Sequence, residues 1–468
     1  MRNTVAAIQN DFSTVTLPAL APEDFLGSVQ DIGRSRNVAQ WIEKHIPSGT
    51  LDAAPLSLVE HVEESLDAGF RSPHYRHIHT GRSRFEIVSA YEAELFRSER
   101  RAAWAETEKW SENSGERRVR FDDCVIFGGL SNPRLFNRVI QSTGARMGEV
   151  TFRNFANGES QVNINTSVRG CKVFILQTAA EPINENIAEL ELMVDALKRA
   201  SASEINVILP LYPYARQDRK GGDRAPVSAA AFASKLKHAG VDRIVTLDIH
   251  SKQIEGFFDG PFDSLDAGPI MVPHLFSRYG DTPLMLVGAD EGQMKRLDPV
   301  IGALQEIYEV NQRSPDIAQA LFKKSRSRPN EVEKMEFIGD PEMVRGRTVL
   351  LWDDMIDTGG TILKAVEKLR GFNPAKVVVV STHGIFSFNG IERFRDATYK
   401  DSSGKSAALI DEVVMTDTLP MRRGRGELFT VISTDTLLTE ALRRLCIGKG
   451  ESLRELRGFT GGELAKKM

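Results

Sequence analysis

The chain has few cysteines, no long apolar run and no marked excess of charge of either sign. Its three cysteines, Cys124, Cys171 and Cys446, lie far apart, which argues against a disulfide framework and excludes a CxxC metal site. No stretch reaches the roughly 18 to 20 apolar residues of a membrane helix, and the first residues lack the apolar core of a signal peptide. We therefore expect a cytoplasmic protein with no membrane partner.

The charge balance also argues against nucleic acid as a partner. The chain holds 60 Lys and Arg against 64 Asp and Glu, for a formal net charge of -4. A protein with this balance has no overall attraction for a polyanion, so any anionic ligand must be held locally. With 468 residues and 41% hydrophobic content, the chain is long enough for two or three packed domains.

Short apolar runs alternate with amphipathic segments from Cys124 onward, which is typical of an α/β fold with parallel sheets. The runs are β-branched and nearly continuous, as expected of strands buried on both faces. They are CVIFGG, KVFILQ, INVILPLYPY, RIVTLDIH, PLMLVGAD, TVLLWDD and KVVVVSTHG. Helical spacing of apolar residues predicts a helix across Ile187, Leu190, Met193, Val194 and Leu197.

Changes in composition and in apolar patterning along the chain divide it into four segments. Residues 1–118 are charge-rich and predicted to be mostly helical, and they form an N-terminal extension of unknown role. Residues 119–268 and 269–436 are predicted α/β domains, and residues 437–468 a C-terminal helix and tail that packs on the first of them. A polar surface loop or insertion is predicted from Arg395 to Ala408.

The strongest local signal is TVLLWDDMIDTGGTILKAVEKL, in which a buried strand ends in two carboxylates and a Gly-rich turn leads into a helix. Asp353 and Asp354 can accept hydrogen bonds from the vicinal hydroxyls of a ribose. The glycines and the helix N-terminus favour a bound phosphate. We call residues 357–361 the sugar-phosphate loop; its members are Asp357, Thr358, Gly359, Gly360 and Thr361. The alternative is an ordinary strand-to-helix turn with a capping side chain.

This stretch resembles the loop shared by phosphoribosyltransferases and ribose-phosphate pyrophosphokinases. Residues 124–445 resemble the second family throughout, in the segments FGGLSNPRL, FANGES, SVRG, PYARQDR, APVSA, LDIHSKQIEGFFDGPFD, DDMIDTGGT and THGIF. The resemblance implies two phosphoribosyltransferase-like domains, each a mainly parallel sheet flanked by helices. It also implies transfer of diphosphate from ATP to ribose 5-phosphate with Mg²⁺, and a homo-oligomer, either a hexamer or a dimer, whose ATP sites involve two subunits.

Carried over residue by residue, the resemblance assigns ATP and metal contacts. The ATP-binding positions are Phe155, Asn157, Glu159, Arg216 and Gln217, with the Phe155 ring stacking on adenine. The metal-associated positions are Asp248, His250, Asp259, Asp263 and Asp290. His250 is also expected to take part in catalysis, whereas no residue is identified as a general base. Asp290 is expected at the ribose 5-phosphate site as well, beside Asp353, Asp354 and the sugar-phosphate loop.

Two segments depart from the family pattern. FKKSRSRPN aligns Lys324 and Arg326 with the two catalytic cations, but Lys323 replaces the usual aspartate. GADEGQ keeps Asp290 and has Gln293 where the family generally has the second glycine of a pair. Two fixed positive charges suit the charge that develops on a transferring phosphoryl group. The changes in FKKSRSRPN bear on the rate of the reaction, and the change in GADEGQ bears on the geometry of the sugar site.

Ser167 and Arg169 match positions that help form a regulatory anion site in the phosphate-activated class. The C-terminal sequence differs from the family's serine-rich ending, so activation by phosphate and inhibition by ADP stay open. Two alternatives to an active synthetase remain: a catalytically silent regulatory subunit of the same family, and a phosphoribosyltransferase. The second has no need of FANGE, PYARQDR or the LDIH segment.

Overall fold

The computed structural model describes residues 124–325, 334–401, 403–420, 426–447 and 452–456. All of them belong to one compact unit, Glu106–Met468. The predicted helical extension over residues 1–118 lies outside the described residues. Within the described part of the chain, no helix is long and apolar enough to cross a bilayer.

Six parallel strands form the first main sheet, which contains every predicted strand up to residue 250. The strands of this half are β1 (Cys124–Gly128), β2 (Arg146–Met147), β3 (Val150–Asn154), β4 (Ser160–Ile164), β5 (Lys172–Leu176), β6 (Glu204–Leu209), β7 (Arg243–Leu247) and β8 (Phe262–Leu265). The sheet order is β2-β1-β5-β6-β7-β8, and β3 and β4 form a separate antiparallel hairpin. The helices are α1 (Pro133–Thr143), α2 (Ile183–Arg199) and α3 (Ser228–Ala239). All five apolar residues that predicted α2 are buried in it.

Seven strands form the second main sheet, in which only the pair at one edge is antiparallel. The strands of this half, including two outside the sheet, are β9 (Leu284–Gly288), β10 (Ile317–Ser325), β11 (Lys334–Ile338), β12 (Thr348–Ile356), β13 (Lys376–Gly384), β14 (Thr398–Lys400), β15 (Ser406–Ala408), β16 (Glu412–Thr416) and β17 (Phe429–Ile432). Their order is β11-β10-β9-β12-β13-β16-β17, and β14 pairs with β15 as a hairpin. The helices are α4 (Gly268–Tyr279), α5 (Met294–Val310), α6 (Gly360–Arg370), α7 (Gly390–Arg395) and α8 (Asp435–Ile447).

Short 3-10 turns complete the described chain at Lys252–Phe257, Glu291–Gln293, Pro341–Met343, Gly426–Leu428 and Leu453–Leu456. Helix α8 packs on α1, and Nζ of Lys172 donates a hydrogen bond of 3.2 Å to the carbonyl of Leu445. The predicted domain boundaries remain predictions.

The central strands of both sheets bury consecutive side chains. In β13 the run from Val377 to Val380 has no exposed side chain, and Val349, Leu350 and Leu351 of β12 are equally buried. Consecutive burial requires cover on both faces, which explains why these segments are continuously apolar and do not alternate. The α/β prediction with two mainly parallel sheets is confirmed.

The carboxyl ends of strands from the two sheets meet. His383 is the next-to-last residue of β13, and its Nε2 lies 3.2 Å from the carbonyl oxygen of Leu247 at the end of β7. The hydroxyl of Thr178, which follows β5, donates to the carbonyl of Thr418, beyond β16, over 2.8 Å. Polar groups that follow different strands are thereby brought into one region, where open parallel sheets bind ligands.

Candidate active site

The sugar-phosphate loop joins the end of β12 to helix α6. Gly359 has a left-handed φ of 73° directly before the first helical residue, Gly360. A Cβ atom on Gly359 would lie 2.0 Å from Cε2 of Phe394, so both the backbone angle and the packing require glycine. The loop therefore leads into a helix N-terminus, whose unpaired N–H groups favour an anion.

Two arginines hold this loop. Nη1 of Arg393 donates a 2.7 Å hydrogen bond to the carbonyl of Thr358, and Nη1 of Arg216 lies 2.6 Å from Oδ2 of Asp357. Burial opposes ionisation of Asp357, but hydrogen bonds from Ser387 and Arg216 outweigh it and lower the pKa of the carboxyl. The loop thus has an ionised acid at its start and a fixed backbone after it.

Asp353 and Asp354, the carboxylate pair, lie in the second half of β12. Asp354 is buried, and its Oδ2 lies 2.7 Å from Nδ1 of His250, which follows β7 of the other sheet. Burial alone raises the pKa of Asp354, yet the hydrogen bond from His250 and the charge of Arg296 bring it well below its usual range. The hydrogen bond with Asp354 also raises the pKa of His250, against the effect of burial. Each partner therefore stabilises the charged form of the other.

Gln293 contacts both members of the carboxylate pair. Its Nε2 lies 3.0 Å from Oδ1 of Asp353 and 3.3 Å from Oδ1 of Asp354. Gln293 ends the 3-10 turn that Asp290 precedes, and its side chain is buried. The turn after β9 thus brings Asp290 and Gln293 to the end of β12.

The predicted ATP residues occupy two places. Phe155, Asn157 and Glu159 lie in the exposed turn between β3 and β4, where the Phe155 side chain is 55% exposed. In that turn Oδ1 of Asn157 accepts a hydrogen bond from the N–H of Glu159 over 3.2 Å. Arg216 contacts the sugar-phosphate loop, whereas Oε1 of Gln217 accepts a 2.6 Å hydrogen bond from the hydroxyl of Ser228.

The predicted metal residues lie at several positions around β7 and β8. The Oδ2 atom of Asp248 accepts hydrogen bonds from the N–H of Ala267 and from the hydroxyl of Thr382. The carboxylate of Asp263 pairs with Arg243 on the neighbouring strand. Asp259 is exposed and lies beside a surface hollow near α3. Within the described ranges, no three His, Cys, Asp or Glu side chains gather as metal ligands, so the metal assignment stays a prediction.

The predicted catalytic cations fall at the edge of the second sheet. Lys324 lies on β10 opposite Met335 of β11, and Arg326 lies outside the described residues. The predicted regulatory residues Ser167 and Arg169 are exposed. Nothing described here assigns a ligand to any of them.

Sequence reasoning did not identify two of the polar contacts around the carboxylate pair. Arg296, on α5, donates to the carbonyls of Ile249 and His250 over 2.6 and 3.1 Å, and its Nη2 lies 3.9 Å from Oδ2 of Asp354. It therefore links the two sheets behind His250. The remaining contact is the Gln293 bridge, for which the departure of the GADEGQ segment from the family pattern was a signal.

Comparisons with known proteins show which proteins this chain is similar to. The model for the N-terminal domain of ribose phosphate pyrophosphokinase matches residues 124–240, and the phosphoribosyl transferase domain model matches residues 270–406. A ribose-phosphate pyrophosphokinase of Corynebacterium glutamicum is 37% identical over 341 residues, which cover 72% of this chain and 95% of that protein. One from Mycobacterium leprae is 37% identical, covering 69% and 92%.

A solved structure is similar over the same part of the chain. The crystal structure of phosphoribosylpyrophosphate synthetase from Mycobacterium smegmatis superposes with a TM-score of 0.61 at 36% sequence identity. The match covers 69% of this chain and 99% of that one. The similar region is therefore nearly the whole length of these relatives.

Proposed function

Because the chain belongs to the ribose-phosphate pyrophosphokinase family, we propose that it transfers the terminal diphosphate of ATP to the C1 hydroxyl of ribose 5-phosphate. The C1 hydroxyl oxygen attacks the β-phosphorus and its proton passes to solvent, the bond from that phosphorus to the α-phosphate oxygen breaks, and AMP leaves. The observation that carries the proposal is the sugar-phosphate loop beside the carboxylate pair, with His250 of the other sheet bonded to Asp354. Reaction between two bound anions depends mainly on alignment and charge neutralisation.

The described contacts give each part of the site a role. The N–H groups at the start of α6 and the hydroxyls of Thr358 and Thr361 would bind the 5-phosphate, and the carboxylate pair would accept hydrogen bonds from the ribose hydroxyls. Phe155 and its turn would hold adenine, and Arg216 would contact the ATP phosphates. Lys324 and Arg326 would neutralise charge on the transferring group.

The donor chemistry around His250 fits Mg²⁺. Its Nδ1 is bonded to Asp354, and within the described part of the chain Nε2 has no hydrogen-bond partner, so this nitrogen is left for a ligand. Asp290 would hold the ion together with His250 in its neutral form, whose Nδ1–H would be donated to Asp354, and nucleotide phosphate oxygens and water would complete the shell that Mg²⁺ prefers. When bound, the ion neutralises charge on the phosphates. Asp248, Asp259 and Asp263 are further proposed contacts.

We propose a homo-oligomer, a hexamer or a dimer, in which the ATP site involves two subunits. The exposed Phe155 ring at the tip of the hairpin supports a site completed by another copy. Light scattering coupled to size-exclusion chromatography measures the assembly, and a monomer that retains full activity would contradict the shared site. The cytoplasmic location and the role of Ser167 and Arg169 in phosphate regulation stay predictions.

An AMP-release assay tests the reaction. Purified protein with ATP and Mg²⁺ should release AMP only when ribose 5-phosphate is present, and a parallel phosphate series measures activation. Combined Lys324→Ala and Arg326→Ala substitutions should nearly abolish turnover. The matched control is Lys323→Ala, which should keep activity. Nζ of Lys323 forms only an exposed ion pair with Glu291, over 3.3 Å. No AMP from the wild type in any condition would favour the silent-subunit alternative.

A further inference from the structure

The side chain of Gln293 is placed as a bridge between the two carboxylates of the proposed sugar site. A carboxamide nitrogen carries two hydrogens, one for each carboxylate, and Nε2 lies within 3.3 Å of an oxygen of both. The side chain is only 4% exposed, so this geometry is set by packing and not by solvent. A bridge of this kind fixes the distance and orientation of Asp353 relative to Asp354.

The bridge contacts one oxygen of each carboxylate. Oδ1 of Asp353 accepts from Gln293 and also from the N–H of Asp354 over 2.9 Å. Oδ1 of Asp354 faces Gln293, while its Oδ2 faces His250 over 2.7 Å. The carboxylates are thus held by contacts on defined oxygens, which sets the direction in which Asp353 can receive a ligand.

The amide oxygen of Gln293 also indicates that the contact with the carboxylates holds this side chain in place. Its Oε1 is buried and, among the described residues, has no hydrogen-bond partner. An unpaired buried amide oxygen is costly, so the two charge-assisted hydrogen bonds at Nε2 must offset that cost. Glycine at this position would leave both carboxylates without the donor.

We infer that Gln293 is a positioning residue that orients the carboxylate pair toward the vicinal hydroxyls of the sugar phosphate. The inference rests on the proposed function and names the residue that sets sugar affinity and selectivity. Gln293 acts through Asp353 and Asp354 and touches no reacting atom. Its loss therefore weakens sugar binding and leaves the affinity for ATP unchanged.

Three substitutions and one control separate this role from general stability. Gln293→Met keeps the length of the side chain and removes the donor, Gln293→Gly removes the side chain, and Gln293→Glu replaces the donor by an acceptor beside two carboxylates. The control is Gln305→Met, the same change at an exposed position of α5, the helix that begins directly after Gln293. Thermal unfolding checks that each variant is folded, and Gln293→Gly carries the test if Gln293→Met does not fold.

The first readout is binding, measured by calorimetry with ribose 5-phosphate and Mg²⁺. Gln293→Met should weaken sugar binding about tenfold, the scale of one lost hydrogen bond to a charged group, and Gln293→Glu should weaken it further. The second readout is kinetic: the KM for ribose 5-phosphate rises while the KM for ATP stays the same. The preference for ribose 5-phosphate over 2-deoxyribose 5-phosphate should fall, because the misoriented pair no longer favours the 2-hydroxyl.

The outcomes distinguish this inference from the proposed function. Unchanged sugar affinity in folded Gln293→Met and Gln293→Gly proteins, or an equal loss for sugar and ATP, would overturn the positioning role. A wild type that binds ribose 5-phosphate but releases no AMP would refute the proposed reaction, and the calorimetry would still decide the role of Gln293. A wild type that does not bind the sugar phosphate would refute both.

Discussion

Glu189 provides a quantitative test of how burial perturbs a charge in this fold. It lies on α2 with 7% of its surface exposed, and its Oε2 atom has no hydrogen-bond partner within the described residues. Burial, with a smaller contribution from the negative charge of Glu185, raises the pKa of Glu189 from 4.5 to about 7. A carboxyl in this environment favours its neutral form.

The sign of the pH dependence follows from proton binding. Between about pH 4.5 and pH 7 the folded protein holds a proton on Glu189 that the unfolded chain has lost, so the free energy of unfolding falls as pH rises through this window. Above it, the ionised Glu189 costs about 3 kcal/mol, since each pKa unit corresponds to ~1.4 kcal/mol. Glu189→Gln removes this cost because its side chain is neutral at every pH.

The assay is urea unfolding followed by circular dichroism at pH 5 and pH 8. Glu189→Gln should be more stable than the wild type by up to about 3 kcal/mol at pH 8, and most of that gain should disappear at pH 5. Glu191→Gln is the matched control on the same helix. It breaks a 2.6 Å ion pair with the largely exposed Lys235 and should lower stability by at most about 1 kcal/mol.

Two results would refute this reasoning. One is a Glu189→Gln protein that is no more stable than the wild type at pH 8. The other is a gain of the same size at both pH values, which would assign the effect to packing and not to ionisation.

Three further substitutions test the site. Gly359→Ala should destabilise the protein by about 1 to 3 kcal/mol, because φ is 73° and the new Cβ would meet Phe394, and thermal unfolding measures the loss; an unchanged midpoint would contradict it. Arg216→Met removes the cation proposed to contact the ATP phosphates, which its 2.6 Å pair with Asp357 holds in place, and should raise the KM for ATP, measured by AMP release; the exposed Arg219→Met is the control, and an unchanged KM would oppose the assignment. Arg296→Met removes two hydrogen bonds to carbonyls behind His250 and should lower turnover about tenfold or more, with unchanged kcat as the opposing result.

The seven predicted strand segments and helix α2 could be predicted because their signals are local. Residues such as Val377 to Val380 are continuously apolar because both faces of the sheet are covered. A run of a few neighbouring apolar residues is therefore enough to indicate a buried strand. The segment from Arg395 to Ala408, predicted as a polar loop, contains the small hairpin of β14 and β15. Its short strands are partly exposed, so they carry little apolar signal.

The site could be predicted as a set of residue types but not as a set of contacts. Gly359 and Gly360 predicted a tight turn before a helix. Asp353 and Asp354 indicated a ligand site, because burying carboxylates at the end of an apolar strand costs free energy. The pairing of His250 with Asp354 spans 104 positions and joins two sheets. No periodicity or spacing carries such information, since it depends on how the two sheets pack together.

The sequence by itself determined the α/β architecture and the Gly-rich turn before α6, because each depends on short-range burial and backbone geometry, whereas most candidate site residues came from the family resemblance. Only the tertiary structure decided that Gln293 bridges the carboxylate pair and that Arg296 supports the backbone of His250. It also placed Asp248 in hydrogen bonds with Ala267 and Thr382. These contacts arise where strand ends of the two sheets meet, and the free energy that selects them belongs to the packed interface and not to any one segment.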